Sequence, residues 1–150
     1  MARKKSPIRV GVVGVGRGRS FMRAAHATGM ELVAICDTWE ERLQAEGTAL
    51  GVATYVDYEQ FLAHDMDAVV LANYFHEHAP FAIRALKADK HVMSETSACH
   101  TLGEGVALAR AAARQKAGPY QAQPPRTTRS AGSRYRPRPT RRRSSRAPTP

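Results

Sequence analysis

Cysteine, tryptophan and long apolar stretches are all scarce in this chain, and so, over its last fifth, is negative charge. The two cysteines, Cys36 and Cys99, are too few for a disulfide framework and fit no metal-ligand spacing, so both read as reduced thiols. The opening Met1-Ala2-Arg3-Lys4-Lys5-Ser6-Pro7 is basic but runs straight into β-type sequence. It has no separate apolar stretch and no small-residue cleavage site, and therefore does not read as a signal peptide. Nothing addresses the chain to a membrane or to the exterior, and cytoplasm is the default expectation.

Charge is unevenly distributed. Up to Gly118 fourteen Lys and Arg face thirteen Asp and Glu, whereas residues 119–150 hold nine Arg and no acid, which puts nearly all of the +10 net charge there. The same segment contains seven of the nine prolines, many Ser and Thr, and no aliphatic side chain larger than Ala. Such a composition cannot bury enough apolar surface to offset its backbone entropy, so residues 119–150 are expected to be disordered and the folded part to end near Gly118. What precedes, after a short arm over residues 1–7, is long enough for a single α/β domain with a buried sheet.

The folded part opens with Ile8-Arg9-Val10-Gly11-Val12-Val13-Gly14-Val15-Gly16-Arg17-Gly18, and Leu32-Val33-Ala34-Ile35-Cys36-Asp37 follows at a telling distance. An apolar β-type run that breaks into closely spaced glycines before a helical pattern brings bare backbone N–H groups up to a pyrophosphate, and the helix N-terminus adds positive dipole. A carboxylate about 20 residues further on, at the end of the next strand, is placed to accept hydrogen bonds from an adenosine ribose. The combination points to a nicotinamide dinucleotide, NAD in preference to NADP. Asp37 would repel a 2′-phosphate and Thr38 offers no cation to neutralise one, although Arg42 lies one helical turn beyond.

Strand and helix patterns alternate along the rest. Strands are predicted at 8–14, 31–37, 53–56, 67–72 and 91–94, and helices at 19–28, 39–50, 57–63, 77–88 and 101–116. The last helix carries a capping box of Thr101 and Glu104. This alternation implies right-handed crossovers and a doubly wound parallel sheet covered on both faces, with the ligand at the carboxyl ends of the strands. Gly14 to Gly18, Asp37, Asn73 and Glu95 all fall at those ends.

The order of motifs resembles the Gfo/Idh/MocA oxidoreductases, the glucose-fructose oxidoreductase and inositol dehydrogenase group. The residues that carry the resemblance are Val69-Val70-Leu71-Ala72-Asn73-Tyr74-Phe75-His76-Glu77-His78 and Ala85-Leu86-Lys87-Ala88-Asp89-Lys90-His91-Val92-Met93-Ser94-Glu95, after the glycine turn and Asp37. It covers roughly residues 8–118 and implies a Rossmann domain that binds NAD(P). Full-length members transfer hydride between the nicotinamide and a hydroxyl-bearing carbon of a sugar or polyol-like substrate. The cofactor-binding set it implies comprises Gly14, Val15, Gly16, Arg17 and Gly18 in the turn, Asp37 and Thr38 on the adenosine side, and Asn73, His78 and Glu95 on the nicotinamide side. No residue is assigned to catalysis.

Three departures from the family pattern bear on function. The third small residue of the fingerprint would fall at Arg19, with Gly18 one place early, which implies a modified turn. The family's Glu-Lys-Pro reads Glu95-Thr96-Ser97, and threonine carries no charge to stabilise an alkoxide where the family commonly has a catalytic lysine. Third, the Arg/Pro/Ser/Thr tail stands in place of the family's second domain, so the chain as given is expected to bind cofactor better than it turns over substrate.

Other readings of single residues stay open. Asp37 can cap the following helix as well as bind ribose. Trp39 can lie against adenine or cover the core edge. His76 and His78 bracket Glu77, but two residues apart at a helix start they face different ways, so surface histidines are expected rather than a metal site. His26, His64, His91 and His100 read as structural or surface residues. The tail arginines could bind polyanions weakly, nucleic acid included. Nine arginines without a lysine are equally what a GC-rich coding sequence yields out of frame, and a frameshifted or truncated end is the expectation. Deleting residues 119–150 should leave the thermal midpoint and dinucleotide affinity unchanged and abolish retention on nucleic acid. Limited proteolysis checks this: cleavage should begin after the tail arginines and leave a product ending near Gly118.

Overall fold

A computed structural model describes residues 6–115. The expectations for the first five residues and for 119–150 lie outside the described residues. The elements are β1 (Arg9–Val13), α1 (Arg19–Ala27), β2 (Glu31–Cys36), α2 (Glu40–Leu50), β3 (Ala53–Tyr55), α3 (Tyr58–Ala63), β4 (Ala68–Leu71), a 3-10 turn (Phe75–Glu77), α4 (His78–Lys87), β5 (His91–Ser94) and α5 (Leu102–Arg114). All neighbouring strands pair in parallel, in the order β3-β2-β1-β4-β5. The doubly wound sheet read from the alternation is therefore the observed one. β1 lies at its centre, where the winding reverses between β1 and β4.

Successive side chains of a strand point to opposite faces, and both faces of this sheet are covered. Val10, Val12, Ile35 and Val70 join Met22, Ala25 and Leu43 under α1 and α2. Their sequence neighbours Val13, Ala34, Cys36, Val69 and Leu71 join Tyr58, Phe61, Leu62, Ala82 and Ala85 under α3 and α4. Burial on both sides explains why the strands read as continuous apolar runs rather than alternating ones.

Local chemistry ends and joins the elements. Gly51 closes α2 in the left-handed conformation at φ 66°. Asp57 caps α3, its carboxylate accepting from the Gln60 N–H at 2.8 Å. Thr101 and Glu104 form the expected capping box, and the backbone N–H groups of His100 and Thr101 that donate to Glu104 hold its carboxyl below the usual range. At the amino edge of the sheet the Lys90 ammonium donates to the Met66 carbonyl at 2.8 Å, and the Lys90 carbonyl accepts from Gln115 Nε2 at 2.8 Å. No helix among the described residues is long and apolar enough to cross a membrane.

Gly11 in β1 leaves no room for a side chain. A Cβ there would lie 2.6 Å from both Phe61 Cζ and Met66 Sδ. Met66 can yield, whereas the fully buried Phe61 ring is wedged between Tyr55 and Tyr58. Gly11→Ala should therefore destabilise the domain by about 1–3 kcal/mol through overpacking, read as a lower denaturant midpoint at unchanged m-value.

Candidate functional site

The chain leaves β1 through Gly14, whose φ of 94° is a left-handed conformation that other residues rarely adopt. A Cβ at that position would meet the Ala72 carbonyl oxygen at 2.5 Å, so two backbones touch here. The Gly14 N–H donates to the Cys36 carbonyl at 2.8 Å, and the Gly18 N–H donates back to the Gly14 carbonyl at 2.9 Å. Gly18 itself is buried: a Cβ on it would collide with the Gly14 carbonyl and approach Val12 Cγ1 to 2.7 Å. Gly18 therefore serves the close packing of α1 on β1, although it lies one place early in the fingerprint, and does not face the open side of the turn. Gly16 does face it, being exposed, with nothing within 4 Å of where a Cβ would sit. Among the described residues the Gly16 and Arg17 N–H groups have no acceptor.

Asp37 follows β2 and ties this turn to the next helix. Its Oδ2 accepts from the Val15 N–H at 2.7 Å and its Oδ1 from the Trp39 N–H at 2.9 Å. The carboxylate thus holds the entry to α2 and the glycine turn at once, and stands at the mouth between them. Val15 is fully buried under α1 and α2 and contributes its backbone alone. Trp39 is 57% exposed, with the Arg42 guanidinium 5.1 Å from its ring centroid. Its indole is therefore not a core cover but a wall of the cleft beside Thr38.

On the other side of β1 the loops after β4 and β5 meet around His78. This imidazole is completely buried, which corrects the expectation of a surface histidine. Its Nε2 lies 3.1 Å from the Asn73 carbonyl, and its Nδ1 lies 2.8 Å from both the Ser97 carbonyl and the Ser94 hydroxyl. The cause is the change from a 3-10 turn to α4 at this residue, which leaves His76 exposed and rotates His78 inward between the strand ends. Asn73 Nδ2 donates to Glu77 at 3.0 Å, while its Oδ1 is buried and has no partner. Glu95 follows β5, its N–H donating to the Leu71 carbonyl at 2.8 Å, and its carboxylate pairs with the Arg17 guanidinium at 2.7 Å. Thr96 stands at φ 63°, an uncommon conformation for a β-branched residue.

A cleft of about 430 Å³ runs along these strand ends, bordered by Gly14, Gly16, Asp37, Trp39, Asn73 and Tyr74. A hollow of about 470 Å³ between α4 and α5, bordered by Lys87, Arg110 and Arg114, lies toward the amino edge of the sheet. Neither the glycine turn nor a strand-end carboxylate reaches it, so the cleft at the carboxyl ends is the candidate site. Of the residues singled out in the sequence, Gly14, Gly16, Arg17, Asp37, Thr38 and Asn73 line this cleft and Val15, Gly18, His78 and Glu95 do not; the orphaned Asn73 oxygen and the Arg17–Glu95 pair left no trace in the motifs.

A parallel sheet with a glycine turn at its point of reversal and an acidic end to the adjacent strand defines a dinucleotide-binding domain of the Rossmann class. Residues 8–121 match the family described as the oxidoreductase family with an NAD-binding Rossmann fold, Gfo/Idh/MocA, and the chain belongs to that family. It is 32% identical over 117 residues to a glycosyl hydrolase family 109 protein of Shewanella baltica, covering 69% of this chain and 26% of that protein. It is 31% identical over 117 residues to the alpha-N-acetylgalactosaminidase of Shewanella oneidensis, with the same coverage. Among solved structures it is similar to the WlbA dehydrogenase of Bordetella pertussis in complex with NADH and UDP-GlcNAcA, at 36% identity and a TM-score of 0.64 over 70% of this chain and 33% of that one. The chain thus spans about a quarter of the length of the curated relatives it matches.

Cys36 lies under the site, at the end of β2. Burial, and after it the negative charges of Asp37 and Asp57, push its thiol up to about 12. At pH 8 the folded chain should alkylate at the half-buried Cys99 and spare Cys36, while denaturant should release both. Peptide mass spectrometry after iodoacetamide checks this, and equal labelling of the two in the native protein would contradict it.

Proposed function

We propose that the described domain binds NAD(H) along the cleft, with adenosine at Asp37 and the nicotinamide end at Asn73 and Glu95. The observation that carries this reading is the set of unmet groups along one path: an open space at Gly16, two backbone N–H groups without acceptors, and a buried Asn73 oxygen without a donor. The first two suit a pyrophosphate, and the Asn73 oxygen suits an amide or hydroxyl donor. Asp37 accepts from ribose hydroxyls, and Trp39 with Arg42 walls the adenine end. Glu95 accepts from the second ribose, while buried His78 holds the Asn73 and Ser97 backbones that frame the nicotinamide end. Bound NAD supplies hydride donor or acceptor chemistry, and the domain's part is to orient it.

For the whole protein's reaction we infer hydride chemistry at a hydroxylated carbon of a sugar or polyol-like substrate. The family supports this, as does the UDP-GlcNAcA seen with the WlbA dehydrogenase. The hydrolase and N-acetylgalactosaminidase names of two relatives favour a second reading, in which NAD assists cleavage of a glycoside. Thr96 offers neither a cation to stabilise an alkoxide nor a base to receive the hydroxyl proton, so the 150-residue chain is proposed to bind cofactor without turning over polyols or sugars. A polyanion-binding role for the tail rests on residues outside those described.

Calorimetric titration tests the cofactor reading. The chain should bind NADH more tightly than NADPH, because the Asp37 carboxylate opposes a 2′-phosphate. Asp37→Ala should weaken NADH by about 1–3 kcal/mol and narrow the difference between the two. Tighter binding of NADPH to the unaltered chain would overturn the preference, and no binding of either would overturn the function.

A further inference from the structure

The Arg17–Glu95 pair joins residues 78 positions apart, one in the phosphate turn and the other after β5. It is not a device of the fold. The turn is already closed by Gly14 and Gly18, β5 is held by β4, and the loop after β5 is held by His78. Both side chains also reach solvent, Arg17 at 72% and Glu95 at 21% exposure, and a pair in that setting adds little to stability. Its place is what distinguishes it. Arg17 and Arg42 are the cations that line the cleft, and Arg42 is committed to the Trp39 ring at the far end. Any ligand that runs from Asp37 over Gly16 toward Glu95 passes Arg17.

The contact with Glu95 uses one terminal nitrogen of the guanidinium. A guanidinium carries five N–H donors in a rigid fork, so the remaining donors of this exposed side chain stay available while Glu95 is held. On the dinucleotide reading above, on which this inference rests, we propose that Arg17 is a bridging residue. It holds the Glu95 carboxylate where the second ribose arrives and presents its remaining donors to the pyrophosphate. Arg17 thereby selects for a ligand with both a diphosphate and a second ribose over a mononucleotide. The backbone groups at Gly16 approach the phosphates from the turn, and the Arg17 side chain supplies a full positive charge that backbone N–H groups do not carry.

Three ligands separate the roles when titrated against the full chain: AMP, ADP-ribose and NADH. Arg17→Gln should leave AMP affinity within about twofold and weaken ADP-ribose and NADH by about tenfold, the scale of one charge-assisted contact in a partly exposed site. The slope of NADH affinity against salt should flatten in the same variant. Arg17→Lys keeps the charge but loses the fork, and should recover part of the ADP-ribose affinity. Arg17→Gln combined with Glu95→Gln should cost less for NADH than the two single changes added together, because each removes the same bridge. Equal weakening of all three ligands would overturn the proposal by making Arg17 a structural residue of the turn, and unchanged affinities would overturn it by making the pair a surface contact only. Failure of the unaltered chain to bind NADH would instead sink the dinucleotide reading and this inference with it.

Discussion

The closeness of α1 to the end of β1 is the constraint on which the ligand edge depends. At position 18 there is room for hydrogen and nothing larger, because the Gly14 carbonyl and Val12 fill the space a side chain would take. That contact lets the Gly18 N–H close the turn onto Gly14, and Gly14 can bend sharply enough only with a positive φ. With the turn so tight, its amides reach β2: the Gly14 N–H finds the Cys36 carbonyl and the Val15 N–H finds Asp37. The carboxylate is therefore located by the same packing that shapes the turn. Changing the helix–strand contact would move both.

The half of the edge formed by β4 and β5 is organised around a different group. There a single buried imidazole does what several glycines do on the other side, since His78 contacts the backbone after β4, the last side chain of β5 and the backbone beyond it. Each ring nitrogen lies within hydrogen-bond distance of a backbone carbonyl, Nε2 of Asn73 and Nδ1 of Ser97, and the Ser94 hydroxyl also meets Nδ1. The strained Thr96 sits between Ser94 and Ser97, inside the span that His78 holds. Beneath the rim the backbones of Gly14 and Ala72 touch, and at the rim the exposed Arg17 reaches the half-buried Glu95. The edge thus consists of two differently built pieces in backbone contact, with a side-chain link above.

Most of the architecture was legible in the residue order because the fold class makes periodicity almost literal. Val12 and Val13, or Ile35 and Cys36, belong to opposite faces of one buried sheet, and such runs resist any other reading. The spacing from Gly14 to Asp37 was equally readable, since a short crossover gives it little freedom. His78 was misread because sequence spacing cannot show a 3-10 turn passing into an α-helix at that residue, and the difference decides which way the ring faces. Gly18 looked displaced in the fingerprint, yet the space it fills depends on three-dimensional packing rather than on counting. Contacts such as Arg17 with Glu95 leave no local trace at all. The substrate stayed illegible for another reason: the matched relatives are about four times as long as the shared stretch, and the residues that choose a substrate need not lie within it.

Lys90 gives the family signature a second meaning. The stretch from Lys90 to Glu95 reads as one motif, yet its two ends lie at opposite poles of the sheet. Lys90 secures the carbonyl of Met66 and the side chain of Gln115, while Glu95 pairs with Arg17, which lines the cleft. A descendant under selection for folding alone would keep the first half of this motif and be free to drift in the second. One short strand thus answers to two demands, Lys90 to holding the amino edge together and Glu95 to meeting Arg17 at the opposite edge.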